Sequence, residues 1–161
     1  MMRGNCEYTI GQTTFLVTLR TLIGWHFLYE GLAKLSNPDW SSVSYLLDSK
    51  GFMSGFFHWL TYDPVRLKAV DFLNEWGLVL IGVGLILGLF TRISLFAGIV
   101  MLTLYYLSHP PFPGIEFAVP AEGSYLIVNK VLIELAALLV LYVFPTNIGL
   151  DAIWAALRRK K

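Results

Sequence analysis

The stretch Gly11–Leu35, GQTTFLVTLRTLIGWHFLYEGLAKL, decides how this chain is read. At 1.5 Å per residue it is long enough to cross a bilayer as a helix, for which about 20 residues suffice. It nevertheless carries Arg20, His26, Glu30 and Lys34. A charge at the centre of a spanning helix costs roughly 2.5–3.5 kcal/mol on insertion scales, so such side chains face partners or a wet cavity. Their spacing sorts them into two neighbouring stripes. Arg20, Gly24, Phe27, Gly31 and Lys34 fall on one helical face, and His26, Glu30 and Lys34 step along the next one at intervals of four. Two glycines in the first stripe leave room for another helix or a ligand near Arg20.

Composition agrees with a bilayer. The chain has 161 residues, 56% hydrophobic and 14% charged, where soluble domains run near 25% charged. Its mean hydropathy is +0.62. A net charge of +1, with no basic patch interleaved with aromatics, points away from nucleic acid. A single cysteine, Cys6, excludes an intramolecular disulfide, a Cys-x-x-Cys redox pair and a four-thiolate cluster within this sequence. Three scattered histidines without a Glu-x-x-His spacing give no expected metal site. At this length a single domain over 1–161 is expected.

Four spans are expected, at about 11–35, 72–90, 93–107 and 125–144. Ser36-Asn37-Pro38-Asp39 ends the first. Residues 39–74 are rich in aromatics but broken by Gly51, Gly55 and Pro64, which suits two short amphipathic helices at the interface. In the second span Gly77, Gly84 and Gly88 share a face, and Gly84-x-x-x-Gly88 reads as a helix-packing motif. A proline-rich loop follows the third span. Pro145 closes the fourth, and an amphipathic tail ends in Arg158-Arg159-Lys160-Lys161. The expected fold is all-α, a polytopic membrane four-helix bundle. Arg3, Arg92 and the basic tail would share one side, which places both termini in the cytoplasm of a cell inner (plasma) membrane protein. The N-terminal apolar run is too long for a cleaved signal and reads as a retained span.

This topology sets depths. Arg20 is expected near mid-membrane, His26 above it, and Glu30 and Lys34 near the outer surface. Glu75 begins the second span, and Asn129, Lys130 and Glu134 lie in the outer half of the fourth. His26 then shares a depth with Glu134, and Glu30 with Lys130. We expect a polar pocket walled by the first, second and fourth spans. With many aromatics nearby, it suits a flat amphipathic molecule with carbonyls, such as a quinone head group entering from lipid. Arg20, Lys34, Glu75, Asn129 and Lys130 would hold it, and His26, Glu30 and Glu134 would carry protons. The same set suits a small-solute carrier or an assembly partner for another membrane protein. It also suits charges that only pair and fix helix register.

The motifs Leu19-Arg20, Gly24-Trp25-His26-Phe27-Leu28 and Glu30-Gly31-Leu32-Ala33-Lys34-Leu35 resemble the opening signature of the DoxX/DoxD-like membrane proteins. Glu75-x-Gly77, Leu87-Gly88-Leu89-Phe90-Thr91-Arg92 and Asn129-Lys130 with Glu134 continue the resemblance in order over roughly residues 15–145. It implies a four-helix membrane fold. For DoxD-type members it implies a subunit of a thiosulfate:quinone oxidoreductase, with a ubiquinone- or menaquinone-type quinone and a second oxidoreductase subunit. A homo-oligomer is a further expectation.

Overall fold

The computed structural model describes residues 8–115, 117–118, 126–146 and 148–158. Expectations on Arg3, Cys6, Arg159, Lys160 and Lys161, and on position 125 as the start of the fourth span, lie outside those residues. The described chain forms α1 (Ile10–Leu35), α2 (Val43–Leu47), α3 (Ser54–Thr61), α4 (Pro64–Leu87), α5 (Thr91–Ser108), α6 (Lys130–Val143) and α7 (Leu150–Arg158). The all-α reading holds. α2 and α3 are the two short helices expected between the first two long ones.

Helix ends follow local chemistry. Thr9 and Gln12 form a reciprocal capping box at the start of α1. α4 begins eight residues before the expected span. Asp63 accepts from Val65 N–H and Pro64 occupies the first turn, where a missing N–H costs nothing; the proline starts a helix here instead of breaking one. Gly88, expected within the packing face of that span, is the left-handed cap that ends α4 at φ 63°. The last long helix starts at Lys130, later than expected, because Asn129 caps it through Leu132 N–H.

α4 and α5 are each long and apolar enough to cross a membrane. Large apolar side chains point outward on every long helix, among them Phe15 and Leu22 of α1, Leu80 of α4, Phe96 of α5 and Ile133 of α6. Helices that are apolar on their outer faces as well as their inner ones belong in lipid. Inside, Ile23 and Phe27 of α1, Leu78, Ile81 and Leu85 of α4, Leu95 and Leu102 of α5, and Leu138 and Leu141 of α6 make one core.

Successive long helices run antiparallel. α1 meets α4 closest, backbone against backbone. A methyl group on Gly82 would sit 2.5 Å from Leu28 N and 2.7 Å from the Gly24 carbonyl oxygen, and one on Gly31 would sit 2.8 Å from Val79 N. Gly98 of α5 makes a looser approach to α6, where a methyl group would sit 3.1 Å from the side-chain tip of Leu138. Gly82→Ala is therefore expected to destabilise the protein by about 1–3 kcal/mol through forced helix separation. Gly11→Ala, with nothing within 4 Å, is expected to stabilise α1 by about 0.5–1 kcal/mol. Thermal unfolding of both variants in mild detergent checks the contrast.

Candidate functional site

The polar residues of α1 divide between two neighbourhoods. Arg20 is 3% exposed, yet it serves the end where α4 turns into α5. Its Nη1 donates to the Ile148 carbonyl at 2.8 Å and to Thr146 Oγ1 at 3.4 Å. The backbones of Gly88 and Gly149 touch beside it, leaving no space for a side chain at either position. Asp151 of α7 completes this joint. Its two carboxylate oxygens accept from Phe90 N–H and Thr91 N–H, each at 2.8 Å, and so cap the exposed start of α5. Burial pulls the Asp151 carboxyl upward, but these hydrogen bonds and the Arg20 charge outweigh it and hold it below its ordinary value. Arg20 thus stands away from the mid-depth pocket expected for it, because the segment after α6 folds back to meet it.

The remaining candidates gather along the C-terminal half of α1. His26 Nδ1 and Glu134 Oε1 lie 2.8 Å apart and join α1 to α6, as their equal depths predict. The Glu134 side chain is 12% exposed and that of His26 37%, so the pair sits in a seam that is open on the histidine side. Glu30 turns to Lys34, one turn along its own helix, with Oε2 to Nζ at 3.6 Å. The charges of Glu30 and Lys130 reach His26, and that of Glu75 reaches Lys34. Lys34 also stands over the rings of Trp40, at 5.4 Å, and Tyr105, at 5.9 Å. Asn129 spends its side-chain oxygen on the α6 cap. His26, Glu30, Lys34, Glu75, Lys130 and Glu134 therefore form one charged neighbourhood across α1, α4 and α6.

Several polar side chains escaped the sequence reading. Asp71 of α4 accepts from Ser41 Oγ and from Ser42 N–H and Oγ, tying the lead-in to α2 onto α4. Asn74 Nδ2 donates to the Tyr105 hydroxyl at 2.8 Å between α4 and α5. Asn74 was findable by the cost of a polar side chain in an apolar helix; its place at the expected edge of a span hid it. A lengthwise groove of about 1060 Å³ runs between α4 and α5, closed at one end by α2 and α3. His109, just past the end of α5, stacks on Tyr45 at 3.9 Å. Its Nε2 lies 3.8 Å from Asp48 Oδ2, with both side chains 10% exposed.

These features define an α-helical membrane protein. Residues 15–110, more than half of the chain, match the DoxX family model, and the chain belongs to the DoxX family. The match runs from α1 through the end of α5; Glu134 joins the site from α6, outside it. No curated protein and no solved structure matches the chain.

Among the described residues no group of His, Cys, Asp and Glu can hold a metal ion. The His109 cluster supplies a pH dependence. Burial pushes the His109 pKa below its ordinary value; Asp48 pulls it up and Lys50 down, and burial prevails. The folded protein therefore binds that proton less readily than the unfolded chain. The stability is present above about pH 6.5 and is lost as pH falls through the folded value. The thermal midpoint of the wild type is expected to fall between about pH 8 and pH 5, and that of His109→Gln to change less over the same range.

Proposed function

We propose that this chain is a redox-linked membrane subunit that binds a quinone head group in the seam between α1 and α6 and exchanges protons with it. The observation that carries the proposal is the His26–Glu134 pair at 2.8 Å, open on the histidine side and surrounded by Glu30, Lys34 and Lys130. The donor set fits such a group. A quinone when bound accepts two electrons and two protons. Lys130 and the His26 ring offer N–H groups to its carbonyl oxygens. Glu134 holds the proton at His26 Nδ1 or accepts it, and Glu30 lies on the open side to exchange protons with the surface. Arg20 has no direct part in this version of the site; it holds the α4–α5 turn and α7 in register.

In this reading all four long helices cross a plasma membrane, with α2 and α3 on the outer face and α7 on the cytoplasmic face. α6 is only 14 residues long, about 21 Å against a hydrocarbon core of about 30 Å. The apolar residues Leu126, Ile127 and Val128 would lengthen it. Their non-helical backbone needs partners in lipid, and the Tyr106 hydroxyl supplies one by donating to the Ile127 carbonyl at 2.9 Å. Arg20, Arg92 and Arg158 mark the cytoplasmic side. A cysteine placed at Gly55 in a Cys6→Ser background is expected to react with an impermeant maleimide from outside intact cells, and one at Arg158 only after lysis. The reverse pattern would invert the orientation.

The quinone reading is tested by solvent extraction of gently purified protein and mass spectrometry for isoprenoid quinones. The wild type is expected to retain quinone near stoichiometry and Glu134→Gln to lose it by about tenfold or more, the worth of one charge-assisted hydrogen bond. Bulk lipid alone in both preparations would overturn the reading in favour of a carrier or an assembly role. Uptake into proteoliposomes and pull-down of a partner separate those two.

A further inference from the structure

α7, Leu150–Arg158, has no buried residue. Leu150, Ile153, Trp154 and Leu157 recur at i, i+3, i+4 and i+7 and make one apolar stripe. Each of the four is at least 41% exposed, so no described part of the chain covers the stripe. Asp151 and Arg158, seven residues apart, share its flank.

The start of this helix is fixed in place. Gly149 lies against Gly88, where a methyl group on either would meet the other's backbone at 2.8 Å. Asp151 accepts from Phe90 N–H and Thr91 N–H. Gly88, Phe90 and Thr91 belong to the turn between α4 and α5, the two helices long and apolar enough to cross a membrane. A turn between two spans lies at a bilayer surface, so α7 begins there. Its nine residues extend about 13 Å. A helix held at that level with one bare apolar stripe buries the stripe by lying flat in the interface, its polar flank toward water. Trp154 suits that depth, where an indole finds both apolar and polar surroundings.

The charge around α7 is basic. Its one acid, Asp151, is spent on the two α5 N–H groups and lies in the field of Arg20. Arg158 rests its guanidinium on the Trp154 ring at 3.7 Å. Among the described residues no carboxylate lies within ion-pair distance of it. A guanidinium stacked on a ring keeps its N–H edge for oxygen acceptors such as phosphate. The sequence continues with Arg159-Lys160-Lys161. Arg92, also exposed, follows Thr91 directly.

We propose that α7, with the basic residues around it, is a docking surface for the acidic phospholipid headgroups of the bilayer that α4 and α5 cross. Ile153, Trp154 and Leu157 enter the boundary of the acyl chains, and Arg158 meets headgroup phosphate. The neighbouring cations add attraction to an acidic leaflet. The proposal rests on α4 and α5 spanning the bilayer and is independent of the quinone reading.

The test places an environment-sensitive fluorophore on Ala156→Cys in a Cys6→Ser background of the full chain. Ala156 is exposed and borders the apolar stripe. The protein is held in nanodiscs that carry doxyl-labelled phosphatidylcholine as quencher, with or without about 30% phosphatidylglycerol. Nanodiscs offer both leaflets, so the result does not depend on orientation. A probe on Leu80→Cys, outward-facing in α4, reports the bilayer itself. The α7 probe is expected to be quenched about twofold more strongly with the acidic lipid. About 1 M sodium chloride, which shortens the screening length to about 3 Å, is expected to remove that difference. Combining Arg158→Gln, Arg159→Gln, Lys160→Gln and Lys161→Gln is expected to do the same, and Trp154→Ser with Leu157→Ser to lower quenching in both lipids. Equal quenching in the two lipids, unchanged by the glutamine substitutions, would overturn the preference for acidic headgroups. An α7 probe unquenched in both lipids beside a quenched Leu80→Cys probe would overturn docking on any bilayer and leave the stripe to a protein partner. An unquenched Leu80→Cys probe would overturn the spanning of α4 and the proposal with it.

Discussion

The contact of α1 with α4 at Gly24, Gly31 and Gly82 sets the arrangement of everything else. No methyl group fits where Gly82 faces Leu28 N and the Gly24 carbonyl. Between lipid-facing helices there is little hydrophobic force to gain, since the surroundings are as apolar as the contact; close packing and small residues must hold them. Drawing α1 tightly onto α4 turns Phe27 into a core shared with Ile81, Leu85 and Leu138. It also fixes the rotation of α1. The stripe next to Phe27, carrying His26 and Glu30, then turns toward α6 and the open surface, and Lys34 toward Tyr105. A charged site on α1 is available because its glycine face is spent on α4.

α1 uses charge differently at Arg20 and at His26. At Arg20 the guanidinium is nearly inaccessible and works through the chain's own polar groups: the carbonyl of Ile148 and, by its field, Asp151. Asp151 in turn caps α5 from 60 residues further along the sequence. Phe90 just before α5 has a left-handed backbone and no side-chain cap of its own, so this distant carboxylate replaces a local one. The joint has the enclosed geometry of a structural fixture, with Arg20 Nη1 paired and its Nε buried without a partner among the described residues. The His26–Glu134 pair joins α1 to α6 and keeps one side open. That openness separates it from the Arg20 joint on physical grounds rather than by residue type.

Much of this was legible in the sequence because lipid is an unforgiving solvent. The cost of charge singled out Arg20, His26, Glu30 and Lys34 at once, and matching depths along antiparallel helices paired His26 with Glu134. The start and length of α1 were legible from hydropathy alone. What failed to show were features that depend on where the chain returns. Arg20 was placed in a mid-depth pocket because nothing in the residues after Pro145 says that they fold back onto Gly88. Pro64 read as a breaker because its effect depends on Asp63 providing the cap. Gly88 read as a packing glycine because a left-handed cap and a small-residue face leave the same letter. The Asn74–Tyr105 bond joins two helices at positions no periodicity relates.

The seam and the groove lie on different faces of the same four helices, yet Lys34 touches the surroundings of both. Its ammonium pairs with Glu30, a neighbour of His26, and stands over the ring of Tyr105, whose hydroxyl meets Asn74 at the head of the groove. Lys34 thus marks the level at which α1, α4 and α5 meet, while the groove lining itself carries no ionised side chain. The two faces differ in kind: charge is gathered where α1 meets α6 and is absent from the lining where α4 meets α5.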